Sequence, residues 1–303
     1  MVLPTGEQFE ISHNSLRVAV TEVGATLRSF RVGETEILDT FAPGELGSHS
    51  SGQVLLPFPN RVDGGVYEFD GKRHQLPITE PERNTAIHGL TRWLNWTMLD
   101  QTRSGVTLGY RLHPQEGYPF TLDLSVEYAL SDKGLAVTTK AANAGAEPLP
   151  FGAGYHPYFT IGTPLVDTAR LRIPAASYLE TDDRLIPTGR SSVEGTEFDF
   201  REEREIGSVV LDTCYTDVIP NDDGYTYVML SNPENGFTIT IWMDGKHGFI
   251  QAFSGDTLPE ADLRRSIAVE PMTCAPNAFN TGVGLRVIEP GESFTSVWGI
   301  NAG

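Results

Sequence analysis

Apolar residues recur at every second position through most of this 303-residue chain, and that alternation excludes most folds. Residues 16–23, 26–32, 105–112, 121–130, 135–142, 225–231 and 237–243 each read as a strand with one face buried. Asp70-Gly71, Asp132-Lys133-Gly134 and Asp244-Gly245 separate such runs and are turn signals. Sustained helical periodicity is hard to find. With 31 Gly and 20 Pro as breakers, no helix longer than about three turns is expected. Strand following strand rules out a doubly wound sheet. It predicts an all-β fold, a large antiparallel β-sandwich with few short helices. No linker-like composition divides the chain, so residues 1–303 are expected to form one domain. No repeat of 20 to 50 residues points to a solenoid or propeller. Residues 183–207 are polar and turn-rich and end in Arg201-Glu202-Glu203-Arg204-Glu205. They read as an excursion over the surface with a solvated charge run.

Charge narrows the choice of partner. Forty acidic against 22 basic residues give a formal net charge of -18, which repels phosphate backbones and acidic membranes. Neither nucleic acid nor a membrane is an expected partner, whereas an uncharged small molecule hardly feels this field. Cys214 and Cys274 do not make a disulfide framework, and a reduced, cytoplasmic location fits them. The start, Met1-Val2-Leu3-Pro4-Thr5-Gly6-Glu7, has neither a basic segment nor an apolar run and does not read as a secretory signal.

Three segments look built to aim a side chain. Glu270 precedes Pro271 in Val269-Glu270-Pro271-Met272-Thr273-Cys274-Ala275-Pro276-Asn277-Ala278-Phe279-Asn280. Proline fixes its own φ and biases its predecessor toward extended backbone, so this carboxylate sits on a stiff path. His88 precedes Gly89, and His156 lies between Tyr155 and Pro157 with Phe159 close behind. One fixed carboxylate and two imidazoles can carry acid–base chemistry without a metal or cofactor. The same two histidines also suit buried, hydrogen-bonded core positions. Arg61, in Pro57-Phe58-Pro59-Asn60-Arg61-Val62, offers a planar fork of donors to hydroxyl oxygens. It equally suits a salt bridge at a strand end. Asp212, after Val209-Val210-Leu211, can accept bonds from ligand hydroxyls or cap a turn. Phosphate loops, dinucleotide-binding turns, zinc-ligand spacings and serine-hydrolase elbows are all missing from the sequence.

Taken in order, these segments resemble the aldose 1-epimerase (galactose mutarotase) family. The pieces are Pro59-Asn60-Arg61-Val62, His88-Gly89, Gly154-Tyr155-His156-Pro157-Tyr158-Phe159, Leu211-Asp212 and the run from Glu270 to Phe279, with Pro290-Gly291-Glu292-Ser293 and Trp298 closing the set. The resemblance implies a sandwich with an open cleft across one sheet and cofactor-free, metal-free interconversion of the anomers of a free hexose. It implies Glu270 as general base, His156 as general acid and His88 as a second histidine polarising the sugar near its ring oxygen. Arg61 and Asp212 would hold hydroxyls, with Asp217 as the competing choice for the latter. The segment from His88 to Arg92 departs from the commonest galactose-enzyme form. In the expected reaction the charge of Glu270 helps keep His156 protonated. Three rivals are a hexose-6-phosphate epimerase, a glycoside hydrolase using Asp212 and Glu270, and a sugar-binding module without catalysis. Against the first, only Arg61 and Arg92 are seen near these motifs.

Overall fold

A computed structural model describes residues 2–303. The strands form two large antiparallel sheets, and the alternating runs from residue 105 onward all lie in the first of them. The first has nine strands, in the order Thr97–Gln101, Gly105–Leu112, Leu122–Ser131, Gly134–Asn143, Ser293–Ala302, Thr238–Met243, Thr226–Ser231, Arg170–Arg172 and Arg204–Glu205. In Leu122–Ser131 the inward set is Leu122, Leu124, Val126, Tyr128 and Leu130, and the residues between them are partly or fully exposed. A one-residue slip would turn that whole set to water, so the burial pattern fixes the register.

The second sheet runs Pro187–Ser192, Ala175–Thr181, Asp212–Val218, Phe249–Phe253, Ile267–Met272, Gly154–Tyr155 and Val54–Leu55, with Tyr158–Phe159 also paired to Ile267–Met272. Both sheets contribute to one apolar cluster, for example Val126, Val137 and Ile241 from the first and Tyr215, Ile250 and Val269 from the second. Tyr155 crosses between them. Its ring packs 5.0 Å from Trp298, and its hydroxyl donates to Thr139 Oγ1 at 2.7 Å. A smaller sheet of Gln8–His13, Leu16–Thr21, Leu27–Val32 and Thr35–Glu36 packs on the same core.

Among the described residues the one α-helix is Ala278–Thr281, so the expectation of few short helices holds. No helix there is long and apolar enough to cross a membrane. The expectation for residues 183–207 needs correction. Pro187–Ser192 forms the outer strand of the second sheet, and Arg204–Glu205 forms the outer strand of the first. Val193, Phe200 and Ile206 are buried among these polar neighbours. Edge strands need only one bonded side and few apolar residues, which is why so polar a segment can supply them.

Candidate active site

Glu270 lies in Ile267–Met272, a strand buried along its whole length. Proline in such a strand removes a ladder donor, so the neighbouring chain must yield there. It does: Gly154 pairs with Met272 and Tyr158 with Ala268, and between them the regular pairing lapses to one backbone bond, from the Val269 amide to the Pro157 carbonyl at 3.3 Å. Continuing that register inward places His156 opposite Glu270. On the other side Gln251 is opposite Glu270, and Cys214 is opposite Gln251. Asp212, two residues from Cys214, shares their face by the period-two rule. One sheet face thus collects Asp212, Gln251, Glu270 and His156.

His88 arrives from a separate hairpin. Thr85–Ile87 pairs with Arg61–Asp63, with Arg61 opposite Ile87. His88 then turns at φ 62, and its amide donates to the Asn60 carbonyl at 2.9 Å. Gly89 follows at φ 72; a Cβ there would lie 2.2 Å from the Leu56 carbonyl oxygen, so only glycine fits. The Asn277 amide donates to the Arg61 carbonyl at 2.7 Å, and Asn277 Oδ1 accepts from the Asp63 amide at 3.0 Å. The chain after Glu270 thereby locks the hairpin bearing Arg61 onto the sheet.

The result is a cleft of about 420 Å³ lined by all five residues singled out from the sequence: Arg61, His88, His156, Asp212 and Glu270. Its size falls in the usual small-molecule range of roughly 300–1,000 Å³. A larger concavity, about 710 Å³, lies against the N-terminal sheet beside Arg17, Arg28 and Arg31, but no imidazole or thiol lines it. In the cleft, His156 Nε2 is 3.3 Å from Glu270 Oε1. The His88 ring meets the His156 ring edge-on, 5.1 Å between centroids, and Tyr158 stacks on the other side of His156 at 5.0 Å. Glu270 is 2% exposed, His156 6% and His88 7%. Glu270 Oε2, His156 Nδ1 and His88 Nδ1 are buried without a protein partner. Buried polar atoms are rarely left so, and three of them fall on this one cluster of residues.

Burial sets the electrostatics. It pushes the Glu270 carboxyl well above the usual carboxylate range, and the nearby Asp212 charge adds to this while Arg61 opposes it. Burial also pushes His156 down to about 3, assisted by the charges of Arg92, His49 and Arg61. The expectation that Glu270 keeps His156 protonated is therefore reversed. Burial favours the uncharged form of each group, carboxyl and neutral imidazole, although the two lie 3.3 Å apart. His88 is likewise held well below its ordinary value, first by burial and then by the charges of His156, Arg92 and Arg61. Asp212 is raised by burial, though Arg61, Arg83 and a 2.7 Å bond from Gln251 Nε2 work against it.

Arg61 is both of the things its sequence allowed. It lines the cleft, and its Nε and Nη2 donate to Glu80 at 2.7 and 2.8 Å. Asp217 is set apart from the cleft and pairs with Arg190. Gln251, Tyr158, Glu80 and Arg83 also line the site and were not singled out. Gln251 carries no local signal, because cross-strand register alone puts it beside Glu270. Tyr158 could have been found, since its two-residue offset from His156 in an extended segment predicts a shared face. Arg83 also corrects the count of cationic groups near the motifs, raising the arginines in the cleft to three.

The fold and the site together define a class, large antiparallel β-sandwiches that carry a buried carboxyl–imidazole pair in a cleft, and the comparisons place the chain within it. The model of the aldose 1-epimerase family matches residues 7–301, and the chain belongs to that family. It is 32% identical to the Escherichia coli K12 protein YihR over 289 residues, 95% of this chain and 91% of that one. It is 30% identical to human galactose mutarotase over 233 residues, 69% of this chain and 66% of that one. Among solved structures, a putative aldose 1-epimerase from E. coli K12 superimposes with a TM-score of 0.86 at 24% identity, covering 98% and 99% of the two chains. An aldose epimerase homologue from C. elegans gives the same score at 19% identity, covering 97% and 98%. At these identities the structural likeness concerns the fold.

Proposed function

We propose that this protein interconverts the α and β anomers of a free hexose such as glucose or galactose by opening and reclosing the ring. The observation that carries this reading is the 3.3 Å contact between the buried Glu270 carboxyl and His156 imidazole at the floor of the cleft. The pair holds one mobile proton. When that proton is on His156, Glu270 removes the proton of the C1 hydroxyl and His156 donates to the ring oxygen. The C1–O5 bond breaks, and an open aldehyde forms with both protons accounted for. Rotation about C1–C2 presents the other carbonyl face. Reclosure reverses both transfers and returns the pair to its starting state.

The burial that disfavours separated charges also sharpens them. A carboxylate with a raised pKa is a stronger base, and an imidazolium with a lowered pKa is a stronger acid. His88 stands against His156 and can donate to or accept from the ring-oxygen side. Asp212 and the part of the Arg61 fork that Glu80 does not use can hold the remaining hydroxyls while C1 turns.

Polarimetry on freshly dissolved α-glucose and α-galactose tests this reading. Wild-type protein should speed relaxation well above the buffer rate, and Glu270→Gln should cut the enzymatic rate by ~10²–10⁴-fold, the usual worth of one proton transfer. Wild-type protein that leaves the buffer rate unchanged would reduce the site to sugar recognition. A Glu270→Gln variant at near-wild-type speed would remove Glu270 from the chemistry.

A further inference from the structure

The outer face of the nine-stranded sheet carries a separate concavity, and aromatic rings line it. In Thr238–Met243 the side chains of Ile241 and Met243 enter the core, so Trp242 between them points away from it. In Thr226–Ser231 the same alternation turns Tyr227 outward, directly opposite Trp242. On its other side Trp242 is opposite Gly299, and a Cβ there would lie 2.3 Å from the indole, so the ring lies across the bare backbone of that strand. The Tyr225 ring stands edge-on to the indole, 80° between planes and 5.6 Å between centroids. This floor and wall bound a space of about 400 Å³, against about 420 Å³ for the cleft around Glu270. The two spaces lie on opposite sides of the sandwich. Val269 enters the core from the second sheet, so Glu270 beside it faces away from the first.

Polar groups ring this aromatic corner. Asp223 is fixed from two sides, since its Oδ2 accepts from the Tyr227 hydroxyl at 2.5 Å and its Oδ1 from the Tyr225 amide at 3.0 Å. The hydroxyl bond, and then the amide bond, hold its carboxyl below the ordinary range, and each oxygen keeps a lone pair to spare. Lys133 lines the same space and is exposed. Among the described residues it makes no ion pair, in a chain with 40 acidic residues. Thr240 and Asn301 are opposite one another on neighbouring strands and add a hydroxyl and an amide. One carboxylate and one ammonium leave the rim without net charge, so nothing in it selects an anion or a cation. Nucleobases also stack on aromatic rings, but proteins that bind them this way carry a cationic groove, and this surface is acidic.

We infer that this corner is a second ligand site, which stacks an uncharged pyranose on the Trp242 indole beside the Tyr225 ring and meets its hydroxyls with Asp223, Lys133, Thr240 and Asn301. A pyranose presents C–H bonds on its faces and hydroxyls around its edge. The corner is the complement of that pattern, an aromatic floor with a few donors and acceptors around it, as is usual for small-molecule sites. The face of an indole is electron-rich, so the polarised C–H bonds of a sugar suit it. Trp242 and Tyr227 sit on paired strands rather than on loops, so the platform loses little freedom when a ligand settles on it. The site opens on the outside of the sheet, where a free sugar and the end unit of an oligosaccharide fit equally. Binding there is independent of anomer exchange, because the reactive pair lies across the core.

The test follows the indole N–H resonances of the four tryptophans while nitrogen-15-labelled protein is titrated with glucose, galactose, maltose, cellobiose and lactose. The Trp242 resonance is the one lost in Trp242→Phe. It should move saturably for at least one sugar, with Kd on the order of 1 mM. Saturation by glucose or galactose marks a free-sugar site, and saturation by disaccharides alone marks a site for an oligosaccharide end. Glu270→Gln should leave this titration unchanged. Asp223→Asn should weaken the binding tenfold or more, and both Asp223→Asn and Trp242→Phe should keep the wild-type rate in polarimetry. A Trp242 resonance that stays still with all five sugars, or drifts without saturating, would overturn the inference. So would a proline-rich peptide that moves it where every sugar fails, since the corner would then belong to a polypeptide. Binding that Asp223→Asn leaves untouched would overturn it as well, because Asp223 would then serve only Tyr227. If Asp223→Asn fails to fold, Lys133→Ala takes its place with the same expectation.

Discussion

Glu270 and His156 make opposite demands on pH, and both demands follow from burial. The Glu270 carboxyl is raised from an ordinary 4.5, so the folded protein holds its proton more tightly than the unfolded chain does. The stability this contributes is complete below about pH 4.5 and is lost as pH rises through the folded value. His156 is lowered from 6.5 to about 3, so its contribution is complete above 6.5 and is lost as pH falls toward 3. Glutamine at position 270 keeps the shape and has no charge to bury. Glu270→Gln should therefore be more stable than wild type at pH 8, by on the order of 2–4 °C in Tm, and gain little at pH 4. Thermal melts at the two values check this; an equal shift at both would mean that folding does not raise the carboxyl's pKa. The rate should form a bell whose acid limb lies near 3 and whose alkaline limb lies well above the usual carboxylate range, both belonging to the coupled pair. A rate that still rises through strong alkali would remove His156 as the acid. These two residues were legible because each abuts a proline, and proline constrains backbone in a way sequence displays. Their inverted charge preference was not legible, because desolvation depends on what the other strands bring to cover them.

At the scale of elements, the cleft depends on the pairing of Arg61–Asp63 with Thr85–Ile87, only three residues a side. So short a pair needs side-chain support, and Glu80 supplies it. Burial works to raise the Glu80 carboxyl, yet bonds from Arg61 and Thr85 and the charges of Arg61 and Arg83 more than offset this, leaving it below the usual range. Each partner of the Arg61–Glu80 bridge is 11% exposed. Breaking such a buried pair strands the remaining charge and costs about 3–5 kcal/mol. Glu80→Gln should consequently lower stability by that order and raise KM for sugar more than it lowers kcat, because Arg61 loses its anchor without touching the reactive pair. Denaturant unfolding and Michaelis kinetics measure both; a variant with wild-type KM would show that Arg61 keeps its place without Glu80. The sequence announced Arg61 through Pro59-Asn60-Arg61 but gave no sign of Glu80. Nineteen residues separate the two partners, and only the hairpin brings them together.

For the whole molecule, the antiparallel β architecture was the most legible feature, because period-two burial is written into long strands such as Leu122–Ser131, Gly134–Asn143 and Thr226–Ser231. The outer strands were the least legible. Pro187–Ser192 alternates only between partly buried and exposed residues, so its place at the edge comes from backbone pairing with Ala175–Thr181 rather than from side-chain pattern. The surface that results carries a formal charge of -18, and this sets a property no single contact reveals. Like charges on a compact body repel one another more than they do on an expanded chain, so net charge works against folding. Salt screens that repulsion over about 10 Å at 0.1 M. It also weakens exposed ion pairs such as Arg111–Asp123 and Lys72–Glu147, but pairs of this kind contribute only about 0–1 kcal/mol each. The shielded Arg61–Glu80 and Arg264–Asp256 pairs are screened much less. The balance therefore favours screening. Raising sodium chloride from about 10 to about 300 mM at pH 8 should increase Tm by a few degrees, and potassium chloride should do the same. A falling Tm would show that the surface pairs outweigh the overall repulsion, and that acidic excess is not what limits the stability of this sandwich.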